Sequence, residues 1–436
     1  MMKTILKSLG IILIVGFIIF SLIIVIGGRD IAPPEISDLM PQKQTIPDDQ
    51  NAFAPLNTAA DAIELPADMN TVMLYIEGQK IYGSVMEEIL LKNSAAIASI
   101  NEALTRQKCI PPENLDPSAY LPKWYRIGLL LSIKTVHDRQ AGPSDQSVLA
   151  NTKLLQFGNM ILKNAQNLVA YNIGGNFFNF GLQQAETLAD TEGSNPDQLK
   201  ALAEGLTTLG SMNEGLQQAY RSKFKEIVSG IDNFRASKKS IEETFSDTQN
   251  MPYIVRKSKW FPGYVFQENA TKQKLAKLYR DSIQNVEKTY ADMNWYDLEH
   301  YLGLEGNRFT FFCKPNVVGR LFYAFTTPEI PTQLGFKCQL EGMLGATQLI
   351  VALKAFEKEN SKLPHRLEDL VPAYLSELPM DPFNGQPWHY VPQKRIFYSV
   401  SKDLKDSGGS TAIPEGEIYG EDYPKTWVAM DAVFKI

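Results

Sequence analysis

LPHRLEDLVPAYLSELPMDPFNGQPWHY, residues 363–390, ends a long helical pattern and begins a region of turns. Five prolines divide it into short apolar pieces: Pro364, Pro372, Pro379, Pro382 and Pro387. Pro382 restricts the residue before it to extended conformations, and Asn384-Gly385 supplies the positive φ that a tight turn needs. These turns predict a compact α+β segment folded back on the preceding helix, with a scaffolding role rather than a catalytic one.

A helical pattern precedes this stretch and a strand pattern follows it. Over residues 338–362, apolar side chains recur at helical spacing, including Leu340, Leu344, Leu353 and Phe356. After it, two short alternating runs flank VPQKR (391–395): Trp388 with Tyr390, and Ile396 with Tyr398 and Val400. The patterns predict a long helix, a short helix over LPHRLEDLVPAYL (363–375), and a β-hairpin.

The body of the chain also has helical periodicity. From residue 57 to about 360, stretches whose apolar residues recur at helical spacing alternate with short polar breaks. Asn195-Pro196 has the pattern of an N-cap followed by Pro at the first helical position. The glycine-rich NIGGNFFNFG (172–181) indicates close helix packing beside a glycine break, with a ligand pocket as the alternative. The chain is therefore predicted to be mainly α, with a helical domain over residues 57–334 and a small α+β module over 335–436.

An uncharged apolar run, Ser8 to Gly28, lies near the N-terminus. About twenty apolar residues cross a bilayer as a helix, because lipid offers the backbone no other hydrogen-bond partner. Lys3 and Lys7 precede the run and place the N-terminus in the cytoplasm. A cleaved signal peptide is the alternative, but its apolar core is only roughly 7–15 residues long. We predict a retained, single-pass transmembrane helix in the bilayer of a bacterial inner membrane, with the body periplasmic or extracellular.

Residues 1–30 therefore form a predicted cytoplasmic tail and anchor, followed by a predicted linker over 31–56. This linker contains prolines throughout, and its apolar residues have little periodicity. Its sequence is IAPPEISDLMPQKQTIPDDQNAFAP followed by Leu56. Proline-rich spacers are semi-rigid, so it is expected to hold the body away from the membrane. The net charge of -6 argues against a nucleic-acid partner, which would need clustered basic residues.

The C-terminal motifs resemble those of a known family. ENSKLPHRLEDLVPAYLSELPMDPFNGQPWHY (359–390) followed by FYSVSKDLKDSGG (397–409) is similar to the C-terminal domain of the major pseudopilin of type II secretion systems. The resemblance covers roughly residues 335–410. The preceding helical body is similar, more loosely, to uncharacterised bacterial membrane-anchored proteins that carry such a tail. Pseudopilins have a prepilin-peptidase site with a glutamate, whereas Gly16-Phe17 is followed here by IIFSL.

The resemblance implies a calcium site in the loop after the hairpin. Asp403 and Asp406 match the acidic part of the family's loop, and a second acidic cluster follows at Glu417, Glu421 and Asp422. Calcium is bound by six to eight oxygen ligands, which carboxylates supply. Leu404 replaces the family's glycine, so a solvated acidic loop without a metal remains the alternative.

No motif predicts a catalytic residue or a required cofactor. The chain has no H-E-x-x-H, no G-x-S-x-G and no phosphate-binding glycine loop. Outside the cytoplasm a disulfide could join Cys313 and Cys338, with Cys109 left over, and three separate buried thiols are the alternative.

We therefore predict a membrane-anchored structural or interaction protein with a protein partner in the envelope, linked to secretion or envelope assembly. Two alternatives stay open. One is an enzyme or ligand-binding protein with a pocket in the helical body, and the other is an atypical pseudopilin-like filament subunit.

Overall fold

The computed structural model describes residues 14–18, 22, 26, 28–42, 44–79, 82–237, 240–244, 256–257, 263–297, 314–414 and 425–436. This part of the chain is mainly helical with a small sheet near the C-terminus, which confirms the predicted mainly α class. Its helices are α1 (Phe53–Asp61), α2 (Met69–Ile76), α3 (Gly83–Lys92), α4 (Ser94–Ala103), α5 (Leu121–Gln140), α6 (Asp145–Lys163), α7 (Leu168–Asp190), α8 (Pro196–Thr207), α9 (Asn213–Ser237), α10 (Ile241–Thr244), α11 (Glu268–Asn285), α12 (Val317–Thr326) and α13 (Glu329–Asn360).

The chain divides into two compact units that are interleaved in sequence. Unit 1 comprises Met1–Pro41, Arg221–Gln284 and Asn294–Gln333, and unit 2 comprises Gln42–Tyr220, Asn285–Met293 and Leu334–Ile436. The chain passes from unit 1 to unit 2 between Gln333 and Leu334, one residue before the predicted boundary between residues 334 and 335. The residues after it, however, belong to the same unit as the helices from α1 to α8.

Local sequence signals account for several helix starts in unit 2. The Ser144 hydroxyl accepts a hydrogen bond from the Ser147 N–H at 3.2 Å, and the Asn167 side chain accepts one from the Ala170 N–H at 2.8 Å. Asn195 caps α8 in the same way, with Pro196 as the first helical residue, as predicted. Each cap satisfies a backbone donor that the first helical turn leaves free.

Glycines allow α6 and α7 to approach each other closely in unit 2. A Cβ at Gly158 would lie 2.6 Å from the Phe178 amide nitrogen, and one at Gly174 would lie 2.8 Å from the Leu162 nitrogen. Close packing around NIGGNFFNFG is therefore confirmed. The predicted glycine break is wrong, because α7 is helical without interruption through residues 172–181. Tight packing on both sides of the helix holds the glycines in helical geometry despite their low helix propensity.

The part of α13 that belongs to unit 2 packs on α7. The Phe336 ring fills the space where a Cβ of Gly175 would lie, at 2.6 Å. Two polar contacts extend the pairing towards the end of α7: Thr347 donates to Glu186 at 2.7 Å, and Lys354 pairs with Asp190 at 2.6 Å. Burial raises the pKa of Glu186.

The sheet has three antiparallel strands in the order β1 (His389–Val391), β2 (Ile396–Ser399) and β3 (Ala432–Lys435). The predicted hairpin is thus confirmed, with Tyr390 opposite Phe397, while the third strand was not predicted. A buried aromatic cluster backs the sheet and consists of Phe383, Trp388, Phe397, Trp427 and Phe434.

The Asp-Pro-Phe-Asn-Gly turn is organised by its first residue. The buried Asp381 carboxylate accepts a hydrogen bond from the Phe383 N–H at 2.9 Å, and the backbone carbonyl of Asp381 accepts one from the Gly385 N–H at 2.8 Å. Gly385 has the positive φ that the turn requires, 71°. The short helix predicted over LPHRLEDLVPAYL is only partly correct, because it forms as the four-residue 3-10 helix Leu367–Leu370. Pro372 disfavours helical geometry at the residue before it, which leaves too few residues for an α-helix.

We expect Gly158→Ala to destabilise the protein by about 1–3 kcal/mol, because the added methyl group overlaps the backbone of α7. Gly205→Ala is the matched control, since its Cβ meets nothing within 4 Å, and it should stabilise α8 by about 0.5–1 kcal/mol. Urea unfolding followed by circular dichroism measures both. Equal effects of the two substitutions would contradict a backbone contact at Gly158.

Candidate functional site

The predicted membrane span, residues 8–28, lies mostly outside the described residues. Its described positions from residue 14 to residue 26 have helical backbone, and their large apolar side chains are exposed: Ile14, Val15, Phe17, Ile18, Leu22 and Ile26, with exposed fractions from 48% to 70%. Successive helical residues are about 100° apart, so these six side chains lie within about one half of the helix circumference. Among the described residues, no helix combines the length and apolar character that crossing a bilayer requires.

The segment after this run, residues 30–41, is here called the N-terminal strap, and it lies along α11 within unit 1. The Asp30 carboxylate accepts the N–H groups of Asn269 at 2.8 Å and Ala270 at 3.0 Å, at the first turn of α11. Farther along, Arg280 donates two hydrogen bonds to Asp38, both at 2.7 Å. These bonds lower the pKa of Asp38. The strap and the helix therefore run in the same direction.

The strap accounts for much of the predicted linker. The strap also contains Leu39, whose side chain is buried. The rest of the predicted linker is also structured: Asn51 forms a β-bridge with Lys108, and Phe53 begins α1. Asp38 and Asn51, both in the predicted linker, thus bind partners far away in sequence, which its proline content did not reveal.

The acidic loop after β2 keeps two predicted calcium ligands within the described residues. Asp403 accepts a hydrogen bond from the Lys405 N–H at 3.0 Å. Asp406 accepts the Gly408 N–H at 2.9 Å and the Tyr398 hydroxyl at 3.0 Å, and the first of these contributes most to lowering its pKa. The other predicted ligands, Glu417, Glu421 and Asp422, lie outside the described residues. Within the described part, no three metal-ligating side chains converge.

Asp431, which the sequence analysis missed, holds this loop in place. Its fully buried carboxylate accepts three backbone N–H groups, from Ser407 at 3.3 Å, Gly409 at 2.8 Å and Ser410 at 2.9 Å. The Asp431 N–H also donates to the Ser410 carbonyl at 2.9 Å. An aspartate directly before the alternating strand β3 was the available sequence signal.

The two cysteines that the structure describes, Cys109 and Cys338, are buried. Cys109 and Cys338 are free thiols, and burial raises the pKa of both, that of Cys338 to about 12. Cys313 lies outside the described residues, so its predicted pairing with Cys338 stays a prediction. Next to Cys338 on α13, the almost fully buried Lys337 pairs with Glu341 at 2.8 Å, and burial raises the pKa of Glu341.

A cleft of ≈ 300 Å³ lies among α4, α5 and α6 in unit 2. Leu131 and Leu149 form part of its apolar wall, and Lys134 and Lys153 also line the cleft. Lys134 pairs with Asp138 at 2.8 Å, whereas Lys153 donates to the neutral Gln156 at 3.1 Å. Its wall also includes Asn101, whose buried Oδ1 has no hydrogen-bond partner within the described chain.

Comparisons with protein-family models, with curated proteins and with solved structures give no match for this chain. The resemblance of residues 335–410 to a pseudopilin domain therefore stays a prediction from the motifs.

We expect Asp431→Ala to lower the free energy of unfolding by about 2–4 kcal/mol, because it removes a buried carboxylate that accepts three backbone N–H groups. Asp403→Ala is the control in the same loop, with an expected loss of about 0.5 kcal/mol, because Asp403 is exposed and accepts one local bond. Chemical denaturation measures both. A small effect at Asp431 would show that the loop does not depend on its carboxylate.

The calcium prediction has a direct test. A bound ion would relieve repulsion between the loop carboxylates and stabilise the native state by mass action, by about 2.7 kcal/mol at a hundredfold excess over the dissociation constant. Thermal unfolding of the full chain is compared with calcium and with a chelator. A rise in midpoint that Asp403→Ala abolishes supports the site, and an unchanged midpoint in millimolar calcium refutes it.

Proposed function

We propose that this chain is a single-pass membrane protein whose body is an extracytoplasmic scaffold for a protein partner in the bacterial envelope. Residues 8–28 are the anchor in this proposal, and the inner membrane is the membrane. The observation that carries it is the exposure of six large apolar side chains on the described helical residues between 14 and 26, within a run that has no charged residue.

The energetic argument for the anchor is simple. An apolar side chain gains roughly 1.5–3 kcal/mol when it leaves water, so six large ones held in water are a substantial cost. The sequence of residues 8–28 places no charged residue on any face of such a helix, which is typical of a protein interior or of a membrane span. Since those side chains are exposed on the folded chain, acyl chains are the environment that we propose covers them.

The scaffolding part of the proposal rests on the C-terminal region. Its rigid turns, the three-stranded sheet and the buried carboxylates Asp381 and Asp431 hold backbone in place, and none of them is aimed at a cleft that the structure describes. The motif resemblance to pseudopilins supports a link to secretion or to assembly of the envelope.

The cleft among α4, α5 and α6 favours a second candidate function, the binding of a small molecule. Its volume lies at the lower end of the range of ligand sites, about 300–1,000 Å³. The apolar wall, the Lys153 ammonium and the unpartnered Asn101 oxygen would suit a ligand with an apolar body, an anionic group and a hydrogen-bond donor. Direct binding of such compounds, lost in Lys153→Ala, would favour this candidate.

We expect the chain to stay in the membrane pellet after alkaline carbonate extraction, and Phe17→Arg combined with Ile18→Arg to release it. Each arginine at the centre of a span costs about 2.5–3.5 kcal/mol on insertion scales. Leu91→Arg is the matched control, because Leu91 is 74% exposed on α3 and should not affect retention.

A reporter enzyme that is active only outside the cytoplasm, fused after residue 60, checks the orientation. Activity is expected for this fusion. Release of the unaltered chain by carbonate, or activity of a cytoplasmic reporter at the same position, would refute the anchored extracytoplasmic protein.

A further inference from the structure

Three helix ends of unit 1 gather where the apolar run ends. The first is the N-terminus of α11, whose N–H groups bind Asp30, two residues after Gly28. Asp38 meets Arg280, eleven positions beyond Asn269 and therefore about 16 Å farther along the helix. α11 thus rises away from the end of the run, and the strap fixes this direction at both of its ends.

The second end is the C-terminus of α9. Within unit 1 the Phe224 ring lies 5.5 Å from the Tyr279 ring, while Asp232 pairs with Lys272. Residue numbers rise on one helix as they fall on the other, so the two helices are antiparallel. The last turns of α9 therefore lie beside the first turns of α11.

The third end is the N-terminus of α12. The Asn316 side chain accepts the Gln267 N–H at 2.9 Å, and the Asn316 N–H donates to the Tyr264 carbonyl at 2.7 Å. The neighbouring Gly263 lies so close to the apolar run that a Cβ on it would overlap the carbonyl oxygen of Gly28. The start of α12 is thereby tied to the same place.

We propose that these three helix ends form a surface that rests on phospholipid headgroups. The proposal rests on the anchor proposed above: if residues 8–28 cross the bilayer, Gly28 is at its surface, and the strap and Gly263 bring the helix ends to the same level. The set of described residues that form the ends is here called the proximal surface: residues 28–30, 232–237, 263–272 and 314–317.

The charges of the proximal surface suit lipid phosphates. Its acidic groups are engaged within the protein, since Asp30 binds the start of α11 and both Asp232 and Glu268 bind Lys272. Besides Lys272, the basic residues of the surface are Arg29, Arg235 and Lys314, all exposed, on a chain whose net charge is -6. The N-terminus of α12 also carries partial positive charge, whereas the C-terminus of α9 carries partial negative charge and Asp30 already binds the N-terminus of α11. Basic residues next to a membrane are attracted to an anionic lipid surface.

The test places a fluorescent label at two exposed positions of α9 and measures its distance from the lipid. Ala236→Cys lies in the proximal surface, and Lys225→Cys lies on the same helix about 16 Å farther from it. Both are made with Cys313→Ser, and the buried Cys109 and Cys338 react slowly because burial raises their pKa. The full chain is reconstituted into phosphatidylethanolamine–phosphatidylglycerol vesicles that contain a phospholipid with a nitroxide on its headgroup.

We expect quenching at residue 236 to exceed that at residue 225 by about twofold or more, since short-range quenching falls off over the roughly 16 Å between them. Circular dichroism of each labelled protein verifies that it is folded. Equal quenching at the two positions overturns the proximal surface.

Carbonate extraction of the same vesicles separates the two proposals. A chain that resists extraction but gives equal quenching is anchored without resting on the lipid, so only the proximal surface fails. A chain that carbonate removes refutes the anchor itself and the proximal surface with it.

Discussion

Unit 2 depends on one close approach, in which the backbone of α6 meets the backbone of α7 at Gly158 and Gly174. No side chain separates the helices there, so α7 is held tightly on one side. Its other face is free to receive α13, whose Phe336 covers Gly175. Because α13 leads directly into the turns and the sheet, the position of the C-terminal region follows from the glycines of α7.

Periodicity and local chemistry predicted the helical class, the Asn195 cap, the long helix before residue 360 and the hairpin. These features depend on neighbours in sequence. The uninterrupted course of α7 could not be predicted in this way, because glycine usually weakens a helix and only its packing partners on α6 and α13 compensate. Strand β3 was missed for a similar reason, since its pairing with β2 joins residues more than thirty positions apart.

The candidate sites show the same limit. Asp403 and Asp406 were correctly predicted to lie in a loop after the hairpin. The carboxylate that holds this loop in place, however, belongs to Asp431, which lies farther along the chain, directly before β3. The proline-rich strap was predicted to be a spacer, because nothing nearby could bind it. Its partners, Asn269 and Arg280, are more than two hundred residues away in sequence, and long-range ion pairs leave no periodic signal.

The strap has a consequence for how an anchored body would meet its partners. A domain on a flexible tether tumbles, and each docking event must then fix its orientation at an entropic cost. In this chain, by contrast, the hydrogen bonds of Asp30 and Asp38 at the two ends of the strap fix the direction of α11 relative to Gly28 when the protein folds. For a chain anchored as proposed, encounters with another protein of the same membrane would begin with both bodies already oriented, which favours a high rate of productive collisions.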